Sequence, residues 1–165
     1  MKPFSNRTTI DSDQLLEQAV TAALPAASTE QVRIITAVVG LIGAVAYADR
    51  SITEQEVLHL RAELARIVGF SADHVDAVAQ LLTKHALRLS ATFVPRLTRT
   101  LRENLDIESR REVLDALLAM AAADGVITHE EVINVRNLCT ALGLSQSDYN
   151  QVQAKYRDRL SSLRH

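Results

Sequence analysis

Apolar and polar positions recur along this chain with a helical period, and no segment alternates with period two over a useful length. Residues 1–10 read as a polar, disordered tail. Ser12 or Asp13 caps a first short helix that runs through Leu24 and is ended by Pro25. Ser28-Thr29-Glu30-Gln31 has the Ser-x-x-Gln spacing of a capping box and opens a long helix to about Ala48. Thr53 opens a third helix to Val68, with Gly69 as its left-handed cap, and Ser71 caps a fourth to about Leu89. A fifth runs from near Thr92 to Glu103, with Pro95 tolerated in its first turn. Asp106 caps a sixth through Ala122, Thr128 a seventh to Leu142, and Ser145 an eighth to about Arg159. The pattern predicts an all-α protein, a compact bundle of about seven to eight helices.

Composition agrees and adds limits. The 165 residues suit one domain, expected over 11–160, and the 47% apolar fraction is ordinary for a globular chain. Five Gly, three Pro, no Trp and six aromatics argue against a sandwich or barrel. Eighteen Lys and Arg against 20 Asp and Glu leave a charge of −2, which argues against a chain built to grip nucleic acid or anionic lipid. The single Cys139, on a periodic helix, permits no internal disulfide and no Cys-x-x-Cys motif, and reads as a buried inert thiol. Ile34 to Ala48 is free of charge but 15 residues long, short of the roughly 20 that a membrane span needs. It reads as a core helix. The first residues lack the apolar core of a signal peptide, so a cytoplasmic location is expected.

The chain also repeats itself. The fourteen residues Ala48 to Arg61 align with Ala123 to Arg136 at an offset of 75, and seven of the fourteen are identical. Gly69-Phe70-Ser71 then matches Gly143-Leu144-Ser145. Each unit, about 30–89 and about 106–159, reads as helix, Ala-Asp-x-x-Ile-Thr turn, helix, Gly-apolar-Ser turn, helix. The fifth helix joins them. The expected arrangement is a pair of pseudo-duplicated three-helix units around a pseudo-two-fold axis.

Helix-start mechanics explain part of the identity. Thr53 with Glu56, and Thr128 with Glu131, have capping-box spacing, and Ile52 with Val57, and Ile127 with Val132, have the spacing of a hydrophobic staple. A cap contributes about 1 kcal/mol, enough to fix where the chain turns. Asp49 and Asp124 need another role, because each falls at a helix C-terminus, where a carboxylate is disfavoured. Two roles are open: an ion pair, with Arg61 or Arg136, or a cation site. Each turn supplies an Asp and, seven residues later, a Glu; Glu130 adds another carboxylate. Together they offer oxygen ligands of the kind calcium and magnesium take. A calcium loop of the EF-hand type does not fit, because its first and third positions fall on Met120 and Ala122.

These residues carry a resemblance. Ala-Asp-Gly-x-Ile-Thr-x-Glu-Glu, followed by Ala-Leu-Gly-Leu-Ser and echoed upstream, is similar to the tellurite-resistance TerB-like family over roughly residues 30–156. The resemblance implies a compact helical domain and a non-enzymatic role in bacterial stress or tellurite resistance. It also implies acidic clusters that hold a divalent metal ion (calcium, magnesium, manganese or zinc). Asp49, Glu56, Asp124 and Glu131 match the family positions, with Glu130 as an extra, whereas Arg50 replaces the family's Gly beside Asp49. The partners implied are other proteins of a resistance system; monomer and homodimer both stay open.

Other constellations point elsewhere only weakly. Glu56-x-x-His59 has di-iron spacing, but the second unit offers Asn134 in place of the histidine. Arg96, Arg99, Arg102, Arg110 and Arg111 alternate with acids and read as a solvated, salt-bridged face rather than a nucleic-acid surface. Asp73-His74 has no nucleophile partner in sequence, and no Gly-rich phosphate loop exists. Nothing in the sequence marks an enzyme.

Overall fold

The computed structural model describes residues 12–48, 53–85, 93–123 and 125–159, and this backbone forms eight α-helices. They are α1 (Ser12–Ala23), α2 (Thr29–Ala46), α3 (Glu54–Glu63), α4 (Ala72–His85), α5 (Phe93–Asn104), α6 (Ile107–Ala121), α7 (His129–Ala141) and α8 (Gln146–Gln153). No strand occurs among the described residues. The protein is all-α, as its hydrophobic periodicity requires.

The helix starts follow from local chemistry. Ser28 Oγ accepts from the Gln31 amide at 3.1 Å, while Gln31 Oε1 accepts from the Ser28 amide at 2.9 Å. Thr53 with Glu56 and Thr128 with Glu131 close the same reciprocal pair, and Ser145 with Asp148 closes a fourth. Asp106 caps α6 through the Ser109 amide at 2.8 Å. Gly69 and Gly143 both sit at φ 71°, the left-handed region that favours glycine.

Some ends differ from expectation. α3 stops at Glu63 and continues as a π-helical turn, Leu64–Val68, before reaching Gly69. α8 stops at Gln153, and the chain tightens into a 3-10 segment, Ala154–Arg159. The fourth helix is described to His85; the expected continuation to Leu89 and the tail at 1–10 lie outside the described residues.

α2 and α6 form the centre. α2 packs against α1, α3, α5 and α6, and α6 against α7 and α8. Val39, Leu41 and Ile42 of α2 meet Leu101 of α5 and Leu114, Leu117 and Leu118 of α6 in a core where each is fully buried. Each such side chain contributes about 1.5–3 kcal/mol by leaving water. By length and composition α2 is apolar enough to cross a membrane, yet ten of its residues are buried against its neighbours. That burial explains why α2 carries no charge after Arg33.

Polar ties then fix the outer helices. Arg111 Nε donates to Asp148 Oδ1 at 2.7 Å, joining α6 to the start of α8. Tyr156 donates to Asp115 Oδ1 at 2.9 Å, and Arg110 Nη1 donates to the Leu142 carbonyl at 2.8 Å. Buried Glu63, the last residue of α3, accepts at 2.7 Å from Arg66 of the π-helical turn.

Candidate functional site

The first turns of α3 and α7, which follow the two repeated motifs in sequence, border one cleft. Buried Ala46 and Met120, with half-buried Val45, form its floor, and the first turns of α3 and α7, where Glu130 is exposed, form its rim. Its volume is about 450 Å³. Val45, Ala46 and Met120 give the floor an apolar surface, while Glu56, Glu130 and Glu131 bring carboxylates to the rim. No Lys, Arg or His stands among the described residues that line it.

The caps set the direction of two of these carboxylates. Glu56 Oε2 accepts from the Thr53 amide at 2.9 Å, and Glu131 Oε2 accepts from the Thr128 amide at 2.7 Å. Each Glu therefore spends one oxygen on its own helix start and is held in place by it. Glu130 is exposed in the first turn of α7, where the helix dipole favours a negative side chain. At the end of α2, Tyr47 is buried and its hydroxyl meets that of Thr83. Burial pushes the Tyr47 phenol up; the Thr83 hydrogen bond opposes this, and the charge of Glu56 adds to it.

The structure thus brings together three of the five residues expected in the site: Glu56, Glu130 and Glu131. Asp49 and Asp124 lie outside the described residues. Among the described residues, no group of three or more His, Cys, Asp or Glu side chains is gathered tightly enough to hold a metal ion. The arginines offered as partners for the two aspartates make these contacts among the described residues. Arg61 pairs with Asp76 of α4 at 3.3 Å, and Arg136 lies over the Tyr149 ring, 5.1 Å from its centroid.

The remaining candidates find ordinary places. Cys139 is buried, and that burial pushes its thiol up, away from the reactive thiolate. His59 Nδ1 contacts the Gln55 carbonyl at 3.1 Å, within its own helix. Arg110 and Arg111 hold α6 to the Leu142 carbonyl and to Asp148.

The floor went unread in the sequence, although a signal for it exists. Val45 and Met120 stand at the same offset of 75 as Glu56 and Glu131. Extending the aligned window three residues upstream reaches both. An apolar pair at matching positions leaves no mark when only identities are counted.

The family model for tellurite resistance protein TerB matches residues 35–154, from within α2 to just past the end of α8. No curated protein and no solved structure matches the chain. The match takes in both acidic turns and the cleft between them, and the chain belongs to the TerB family of tellurite resistance proteins.

Proposed function

We propose that this protein is a non-enzymatic binding module of a bacterial tellurite-resistance or stress system, and that its two acidic turns hold one divalent cation between them. One observation carries the reading: Glu56 from the first turn, and Glu130 and Glu131 from the second, rim a single cleft. Asp49 and Asp124, just upstream of those helix starts in sequence, complete the ligand set. Hard cations such as calcium and magnesium take six or more oxygens, and carboxylates supply them readily. The cation would neutralise the rim and tie the end of α2 to the start of α7. The lining offers carboxylates, an amide and a threonine hydroxyl already used in a cap, a set suited to binding rather than to nucleophilic attack. Partners are other proteins, and the location is cytoplasmic.

A second reading has its own support. Glu56 and Glu131 each commit an oxygen to a cap, which lowers their capacity as ligands. On that reading the cleft is a metal-free docking surface. Thermal melting with calcium, magnesium, manganese and zinc separates the two. The cation reading predicts that at least one ion raises the melting temperature of the wild type and that Asp124→Asn removes the rise. No rise with any ion rejects it in favour of the metal-free module.

A further inference from the structure

We propose that the same cleft seats a basic side chain, lysine or arginine, carried on an apolar segment of a protein partner, so that partner and divalent cation compete for one set of carboxylates. This rests on the reading of the two turns as one acidic site, and it names that site's second occupant. The cleft is open to solvent and about 450 Å³ in volume, room for a long side chain as well as for an ion with its waters.

The walls are layered. Val45, Ala46 and Met120 offer hydrocarbon at the floor, and Glu56 and Glu130 offer charge at the rim. A hydrated ion gains nothing from an apolar floor. Lysine and arginine have the matching two-part build, an aliphatic stem that buries well and a cationic head that stays among polar groups. The charge is complementary as well. The described lining contains no cation of its own, and Glu130 makes no hydrogen bond or ion pair among the described residues. Ile133, one turn along α7 from Glu130, is 47% exposed and gives the flanking apolar residues of such a segment a contact.

The chain contains two methionines, Met1 and Met120, so methyl-labelled methionine places a single spectroscopic probe on the cleft floor. The test titrates the full chain, in EDTA, with a short helical peptide of lysine, leucine and alanine, and with the same peptide carrying glutamine at each lysine. The proposal predicts that the lysine peptide shifts the Met120 methyl signal and the glutamine peptide does not. Glu56→Gln with Glu130→Gln weakens lysine-peptide binding about tenfold, while Glu17→Gln with Glu108→Gln, remote acids on α1 and α6, leaves it unchanged. An unmoved Met120 signal, equal shifts with both peptides, or equal losses in both double variants overturns it.

Cation titration keeps the two readings apart. If a cation stabilises the chain and the lysine peptide leaves Met120 unmoved, this inference fails and the cation reading stands. If no cation stabilises the chain yet the peptide shifts Met120, the cation reading fails and basic-side-chain docking stands alone. If both bind, added cation must displace the peptide; simultaneous occupancy overturns the competition.

Discussion

Glu131 has two roles that one substitution separates. Its Oε2 closes the box at the start of α7 by accepting from the Thr128 amide at 2.7 Å, and its carboxylate faces the cleft. Glu131→Gln keeps an oxygen able to make that bond. The chain already uses this arrangement at α2, where Gln31 Oε1 accepts from the Ser28 amide at 2.9 Å. The first turn of α7 loses one negative charge, and that helix-dipole contribution is about 0.3–1 kcal/mol. In a domain of this size 1 kcal/mol moves the melting temperature by about 2–4 °C. The variant in EDTA should therefore melt no more than about 4 °C below the wild type. With a cation at a hundred times its Kd the wild type gains about 2.7 kcal/mol, a rise of about 5–10 °C. If removing the ligand weakens binding about a hundredfold, the gain at the same concentration falls to about 0.4 kcal/mol. Thr128→Ala is the reciprocal change: it costs about 1 kcal/mol of cap but leaves the carboxylate and the full cation gain. Thermal melts of the three proteins, in EDTA and in calcium or magnesium, read both quantities. The reasoning fails if Glu131→Gln loses several kcal/mol without cation, or if it keeps the full gain.

Three further outcomes follow from named contacts. Two hydrogen bonds from Ser145, and then Arg111, hold the Asp148 carboxyl down at about 2. A lowered folded value stabilises above the unfolded value near 3.8 and is lost as pH falls through about 2, so melting temperature should drop across that window and Asp148→Asn should flatten the drop. Gly69→Ala and Gly143→Ala both force alanine to φ 71°, but only at Gly143 does the new Cβ stand 2.8 Å from Arg110 Nη1, which donates to Leu142. Denaturant unfolding should show a loss of about 1–2 kcal/mol at Gly69 and about 1 kcal/mol more at Gly143. Arg50→Gly removes the guanidinium adjacent in sequence to Asp49, and calorimetric titration should show tighter cation binding; unchanged affinity would remove Arg50 as a competitor.

What the sequence made legible was what lies within one helical turn. Ser28 with Gln31, Thr53 with Glu56 and Thr128 with Glu131 all form their boxes, because each needs only three residues and a helix start. Gly69 and Gly143 were equally readable, since a left-handed slot selects glycine from the local backbone alone. Longer ties were not. Arg111 meets Asp148 across 37 positions and Tyr156 meets Asp115 across 41, partners that only the packing of α6 against α8 and the segment after it selects. The π-helical turn at Leu64–Val68 also had no local sign, because periodicity barely distinguishes it from the α-helix it extends. For the site, carboxylate spacing pointed to Glu56, Glu130 and Glu131, and the fold puts them on one cleft. The apolar floor escaped because Val45 and Met120 differ in identity while matching in position.

On the proposed reading, two turns 75 residues apart in sequence make one cation site. Calorimetric titration of the purified chain with calcium, magnesium and manganese, alongside Asp49→Asn and Asp124→Asn, tests it most directly. One ion per chain and loss of binding in either variant are expected, since each turn supplies part of a single ligand set. Two independent ions per chain, a variant that binds as the wild type does, or no heat with any of the ions would contradict it.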